Sequence, residues 1–169
     1  MRFLTPNQGN DWLATRELPG PEDSLPSWAY AQEAEYRIPG DAGRKTALAR
    51  LLASPAHEQG AGGMLWITAC GIWPSSENQE LFYALRRALG EQRPLSEVPC
   101  HLFDHADAIH LECLLDLVLY FSWDAILYVP SAAMIFRLSH DEMLELYSNS
   151  VSEFIDVSEK LRRFGLEDV

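Results

Sequence analysis

The stretch MLWITACGIWPSSENQELFYALRRALG, Met64 to Gly90, decides the fold. Met64 to Trp73 is a short apolar run rich in aromatic and β-branched residues, which predicts a central strand. A helix follows at once. Pro74, Ser75 and Ser76 precede it, and Ser76 with Gln79 forms a capping-box pattern. Glu77 and Glu80 fall in its first turn, Arg86 and Arg87 in its last, and Gly90 closes it. The expected apolar stripe is Leu81, Phe82, Leu85, Ala88 and Leu89.

Downstream, a Pro-punctuated loop from Gln92 to Pro99 leads to a short segment, Cys100 to Phe103. Asp104 then caps a helix running to about Phe121, with Leu111, Leu114, Leu115, Val118 and Leu119 on its buried side. Ala125 to Val129 and Ala133 to Leu138 read as two strands of a hairpin joined at Pro130, Ser131 and Ala132. Ser139, His140, Asp141 and Glu142 read as the start of a helix carrying Met143, Leu144, Leu146 and Tyr147. Ser148, Asn149 and Ser150 break it, and Ser150 with Glu153 opens a last helix with Val151, Phe154, Ile155 and Leu161 inward and Gly165 at its end.

Upstream, Leu48, Leu51 and Leu52 recur at helical spacing between Asp41 and Ser54, Pro55 ends the run, and the Gly-rich linker Gln59 to Gly63 follows. Residues 1–40 contain PNQGN, LPGPEDSLP and IPG, so they read as an arm with turns. Trp12, Trp28, Tyr30 and Tyr36 imply that part of the arm packs on the rest. The expectation is an arm at 1–40 and a single α/β (α+β) domain at 41–169. That domain holds a mixed sheet including a β-hairpin and about four to five packed helices, without a regular βαβ series.

The 169 residues are enough to bury a core without disulfides. Cys70, Cys100 and Cys113 are odd in number and unrelated in spacing, which fits a reducing cytoplasm and neither a disulfide framework nor a zinc ribbon. MRFLTPNQGNDW lacks the apolar core of a signal peptide, and Leu111 to Phe121 is interrupted by Glu112 and Asp116, so no membrane association is expected. The net charge is -12, and residues 101–169 hold 13 acidic against 4 basic side chains. Such a field repels nucleic acid and attracts cationic partners.

His101, Asp104, His105, Asp107 and His110, with Glu112 and Cys113 after them, form the densest cluster of metal-ligating types. Their spacing matches no zinc signature, and acids in a first helical turn are expected from the dipole alone, so no metal and no cofactor is assigned. Ser139 to Glu142 sets a hydroxyl, an imidazole and carboxylates side by side, yet Ser139 as cap and Glu142 as its partner account for the same letters. Cys70 at a strand end is a candidate nucleophile or a small core residue. Asp116 and Asp124 sit beside apolar sequence, where true burial would raise a carboxyl pKa, but a place on the helix's polar strip or as a turn cap is the expected one for each. No established nucleotide, hydrolase or metalloprotease motif occurs, and Arg44 and Lys45 after GDAG lack the glycine spacing of a phosphate loop.

GIWPSSENQELFYALRRALG at 71–90, HLF at 101–103, FSWDAILYVP at 121–130 and LSHDEMLELY at 138–147 resemble an uncharacterised bacterial family with WPSSEN-type and SHDE-type helix starts. Some members are associated with toxin immunity. The resemblance implies a shared fold and no catalytic assignment. With the acidic last third it leads to the expected function, a cytoplasmic immunity-type protein that neutralises a cationic toxin domain. Its expected contacts are Asp141, Glu142, Glu145, Glu153, Asp156 and Glu159, on the outer face of the last two helices. The alternatives are a small enzyme using Cys70 or a His/carboxylate pair, which clustering of Cys70, His101 and His140 would favour, and a homo-oligomer subunit.

Overall fold

The computed structural model describes residues 1–21, 30–58, 62–167 and 169. Seven strands form one sheet: β1 (Arg2–Leu4), β2 (Gln32–Arg37), β3 (Gly63–Ala69), β4 (Cys100–Phe103), β5 (Asp124–Val129), β6 (Met134–Ser139) and β7 (Met143–Ser148). Their order is β1-β4-β3-β5-β6-β7-β2, and every ladder between them is antiparallel. The helices are α1 (Pro6–Ala14), α2 (Ala42–Glu58), α3 (Gln79–Ala88), α4 (Ala108–Phe121) and α5 (Val151–Phe164). The result is an α+β fold with the expected hairpin between β5 and β6.

Strand alternation divides the side chains between two faces. Leu65, Ile67, Phe103, Ala125, Leu127, Phe136, Leu138, Leu144, Leu146 and Tyr36 point to an inner face, where α2, α3, α4 and α5 cover them in the larger core. Met64, Trp66, Cys100, Leu102, Ile126, Tyr128 and Ile135 point to the outer face and form a smaller core with Leu13 of α1. Helix α1 lies this close because Gly9 has no side chain: a Cβ there would stand 2.6 Å from Cys100 Sγ and 2.8 Å from Trp66 Cζ3.

The first forty residues supply more regular structure than their Pro and Gly content implies. Thr5 caps α1 with a full capping box to Gln8, and β1 and β2 form the two ends of the sheet. Tyr36 is fully buried and Tyr30 packs on Tyr147, 5.5 Å between ring centroids. The expected packing of Trp28 lies outside the described residues, as do most of the linker positions after Glu58.

Four local expectations need correction. First, Ser139 to Tyr147 is a turn and a strand, with no helix. Glu142 N–H donates to Ser139 O at 3.0 Å and Ser139 Oγ accepts from Asp141 N, so the four residues close the β6–β7 hairpin, with Glu142 at φ 61°. MLELYS then alternates, Leu144 and Leu146 inward, Met143, Glu145 and Tyr147 outward. Second, Pro55 does not end α2, which runs to Glu58. Proline has no N–H for the carbonyl of Leu51, four residues back; Ser54 Oγ donates to that oxygen at 2.9 Å in its place. Third, Asn78 rather than Ser76 caps α3, accepting from Leu81 N–H at 3.2 Å, while the Glu77 carboxylate gathers Gly71 N–H and Trp73 N–H. Fourth, the stripes of α3 and α5 differ in part from the expected ones: Phe82 and Leu161 are buried as expected, but Leu81, Val151 and Ile155 are exposed, and Arg86 and Val157 are buried.

Buried Arg86 has a physical reason. Its guanidinium lies over the rings of Phe3, Phe82 and Tyr83, at 5.4, 5.7 and 5.9 Å, and donates to Val98 O at 3.0 Å. The remaining segments follow the expectations in outline, except that β3 ends at Ala69 and does not reach Trp73. Asp104 accepts from Ala106 N–H and opens a short turn at His105–Asp107 ahead of α4. Leu111, Leu114, Leu115, Val118 and Leu119 are all buried. Ser150 caps α5, and Gly165, at φ 88°, ends it.

Candidate functional site

The antiparallel registers bring acidic side chains from distant sequence onto one patch. Arg137 of β6 stands opposite Glu145 of β7, and Glu145 stands opposite Glu35 of β2. In the next outward row Tyr147 lies between Ile135 and Glu33. Arg137, Glu145, Glu35 and Glu33 lie on the outer face past Tyr30 and Tyr147, outside the cluster that packs with α1. Glu33, Glu35, Glu145 and Tyr147, with Ala34 and Val169, line a groove of about 410 Å³.

Tyr147 Oη donates to Glu145 Oε2 at 2.7 Å, and Arg137 Nη1 is 3.8 Å from the same oxygen. Partial burial and the glutamate hold the Tyr147 hydroxyl in its protonated form, well above its ordinary range. Glu33 and Glu35 are exposed and have no ion-pair partner among the described residues. Two carboxylates directly opposite each other across a ladder repel and weaken the sheet. Arg137, near Glu145, and Arg37, two residues along β2 from Glu35, offset that only in part. The carboxylates that line the groove outnumber the bases beside it.

The other residues singled out from the sequence fall elsewhere. Asp141 is exposed at the β6–β7 turn. Glu142 carries a structural ion pair, 3.1 Å to the nearly buried Lys45, and its carbonyl accepts from Ile38 N–H at 2.7 Å. Glu153, Asp156 and Glu159 are on α5, which packs on the inner face through Val157 and Leu161. Asp156 pairs with Lys160 at 2.8 Å and Glu159 with Arg163 at 2.6 Å. Of the six expected contacts, only Glu145 belongs to the groove. Its companions Glu33 and Glu35 fall in the segment whose Pro and Gly content predicts an arm, and the alternation in QEAEYR is the signal that identifies them as strand residues.

The nucleophile and metal-ligand candidates do not converge. His101 is fully buried beside Phe3 and Phe82, with Nδ1 3.0 Å from Pro99 O. Burial, reinforced by Arg86, pushes its pKa down to about 3, so it is neutral. Cys70 lines a groove of about 460 Å³ with Trp66, Leu95 and Pro99, and that groove contains no histidine. Burial and Glu77 push its thiol upward, the reverse of activation. His140 Nδ1 is 2.8 Å from Asp124 Oδ1, and its backbone N–H donates to the same oxygen at 2.6 Å. Asp107 accepts from the Asp104 backbone N–H at 3.2 Å and lies 3.5 Å from His110 Nδ1. Among the described residues no group of three His, Cys, Asp or Glu is placed to hold a metal ion. Asp116 accepts from Thr46 Oγ1 at 2.9 Å.

Comparison with protein-family models, with curated proteins and with solved structures finds no match to this chain. The reading of the site rests on its own geometry. Among the described residues no helix is long and apolar enough to cross a membrane.

Proposed function

We propose that the chain is a protein-binding module that receives a cationic partner in the groove of β7 and β2, and that it serves as an immunity-type protein masking the basic surface of a toxin domain. The observation that carries this reading is the set of three carboxylates, Glu33, Glu35 and Glu145, facing one groove, with Arg137 beside Glu145 and Arg37 two residues along β2 from Glu35 as the bases of the same face. The net charge of -12 gives the approach of a basic partner long-range attraction. The shape of the groove, open along the sheet, suits an extended Lys- or Arg-rich segment. The thiols of Cys70, Cys100 and Cys113 are free, which accords with a role in the reducing cytoplasm.

The test uses an arginine-rich extended peptide as the probe and follows association by stopped-flow fluorescence. The rate falls by at least about tenfold as ionic strength rises from about 10 mM to 500 mM, since the Debye length shortens from about 30 Å to a few ångströms. A rate that does not change with salt contradicts the reading.

A further inference from the structure

We propose that α4 is a self-association surface: two copies of the chain pair antiparallel through the line Ile109, Cys113, Asp116 and Tyr120, and Tyr120 of each enters a notch on the other. The segment AIHLECLLDLVLYF is apolar almost all round, and a helix of that kind is normally covered all round. Yet Ile109 is 60% and Tyr120 57% exposed, and Cys113 is exposed between them.

The four positions recur at intervals of four, three and four residues, which sets them on one line along the helix, as in the seam of a coiled coil. That line is complementary to itself. A two-fold axis midway between Leu114 and Leu115 places Ile109 opposite Tyr120 and Cys113 opposite Asp116, and the same pairs again in reverse. The hole for the knob is present on the same face. Thr46, Arg50, Ile109, Glu112, Cys113 and Asp116 surround a notch of about 140 Å³ between α2 and α4. A space of about 150 Å³ takes a benzene ring. Tyr120 lies about 10 Å along the helix from Cys113, so it cannot fill its own notch and is placed to fill the partner copy's. The Arg50 side chain, 70% exposed at the rim, meets the face of the incoming ring, and the single phenolic O–H donates to Glu112.

A single-helix seam belongs to the small class of interfaces, so the dimer is weak and concentration-dependent. Two chains of charge -12 repel each other outside this face, and salt screens that repulsion. Self-association therefore strengthens with salt, whereas capture of a cationic partner weakens, and the two ideas fail independently.

Sedimentation equilibrium of the full chain tests it, with Tyr120→Ala beside the wild type and with Cys113 cross-linked by a short bismaleimide in a Cys70→Ser background. The expected result is a dimer that tightens with salt, whose dissociation constant rises at least about tenfold in Tyr120→Ala, and that is trapped through Cys113. A chain that stays monomeric at every concentration and salt, or a dimer unaffected by Tyr120→Ala, overturns the proposal. Circular dichroism of Tyr120→Ala, a substitution of an exposed side chain, confirms that the fold is intact.

Discussion

The outer face of the sheet has two halves that share strands and differ in chemistry. Under α1, Met64, Trp66, Cys100, Leu102, Ile126, Tyr128 and Ile135 are apolar and covered. Past Tyr147 the same face carries Arg137, Glu145, Glu33, Glu35 and Arg37, none of them part of the packed cluster. The inner face makes no such distinction, since Leu144, Leu146 and Tyr36 opposite these polar residues are as buried as the centre of the sheet. The polar half is therefore no frayed edge. Its strands are anchored from behind, and its outward side chains are released from packing duty and open to recognition.

Breaking the anchor has the largest expected effect. Leu146 is fully buried behind the groove, and Leu146→Ala lowers unfolding free energy by about 2–5 kcal/mol in a denaturant titration. A smaller change on the covered half sharpens the contrast. Gly9→Val pushes α1 away from Cys100 and Trp66, with a loss of about 1–3 kcal/mol, and leaves the groove intact. Glutamine at Glu33, Glu35 and Glu145 together removes the facing charges without removing any packing, and the expected change in stability is within about 0.5 kcal/mol, on the stabilising side.

The hairpin that carries β7 has its own pH signature. The hydrogen bond to Asp124, and then its charge, raise the His140 pKa. Because the folded-state value is the higher one, the stabilisation is complete below the ordinary histidine pKa and fades as pH rises through the raised one. Asp124→Asn returns the His140 titration, followed by NMR, toward the ordinary value. A titration unmoved by that substitution shows that the pair does not form.

Much of the inner face was legible from residue patterns because each piece carried two agreeing signals. Strand β3 had its apolar run, α4 its leucine spacing and the Asp104-capped turn that leads into it, and α5 its Ser150 cap and terminal Gly165. Two elements misled for identifiable reasons. MLELYS supports both a helical and an alternating reading, and the preceding Ser-x-x-Glu looks like a capping box, so local signals favoured a helix where pairing with β6 and β2 decided for a strand. In QEAEYR only Ala34 and Tyr36 face the core, and the neighbouring Pro and Gly obscured so short an edge strand. Those two elements hold the groove. That is why Glu145 was visible as an acid in an acidic third, while its partners across the ladder were not.

The central claim is that location, and not total charge, makes the groove a binding site. The most direct measurement compares two variants that lose the same three charges: Glu33→Gln, Glu35→Gln, Glu145→Gln in the groove, and Glu153→Gln, Asp156→Asn, Glu159→Gln on α5. Affinity for the arginine-rich peptide, measured by calorimetry at one fixed ionic strength, should fall at least about tenfold in the first and less than about threefold in the second. Equal losses in both, or none in the first, would contradict the account.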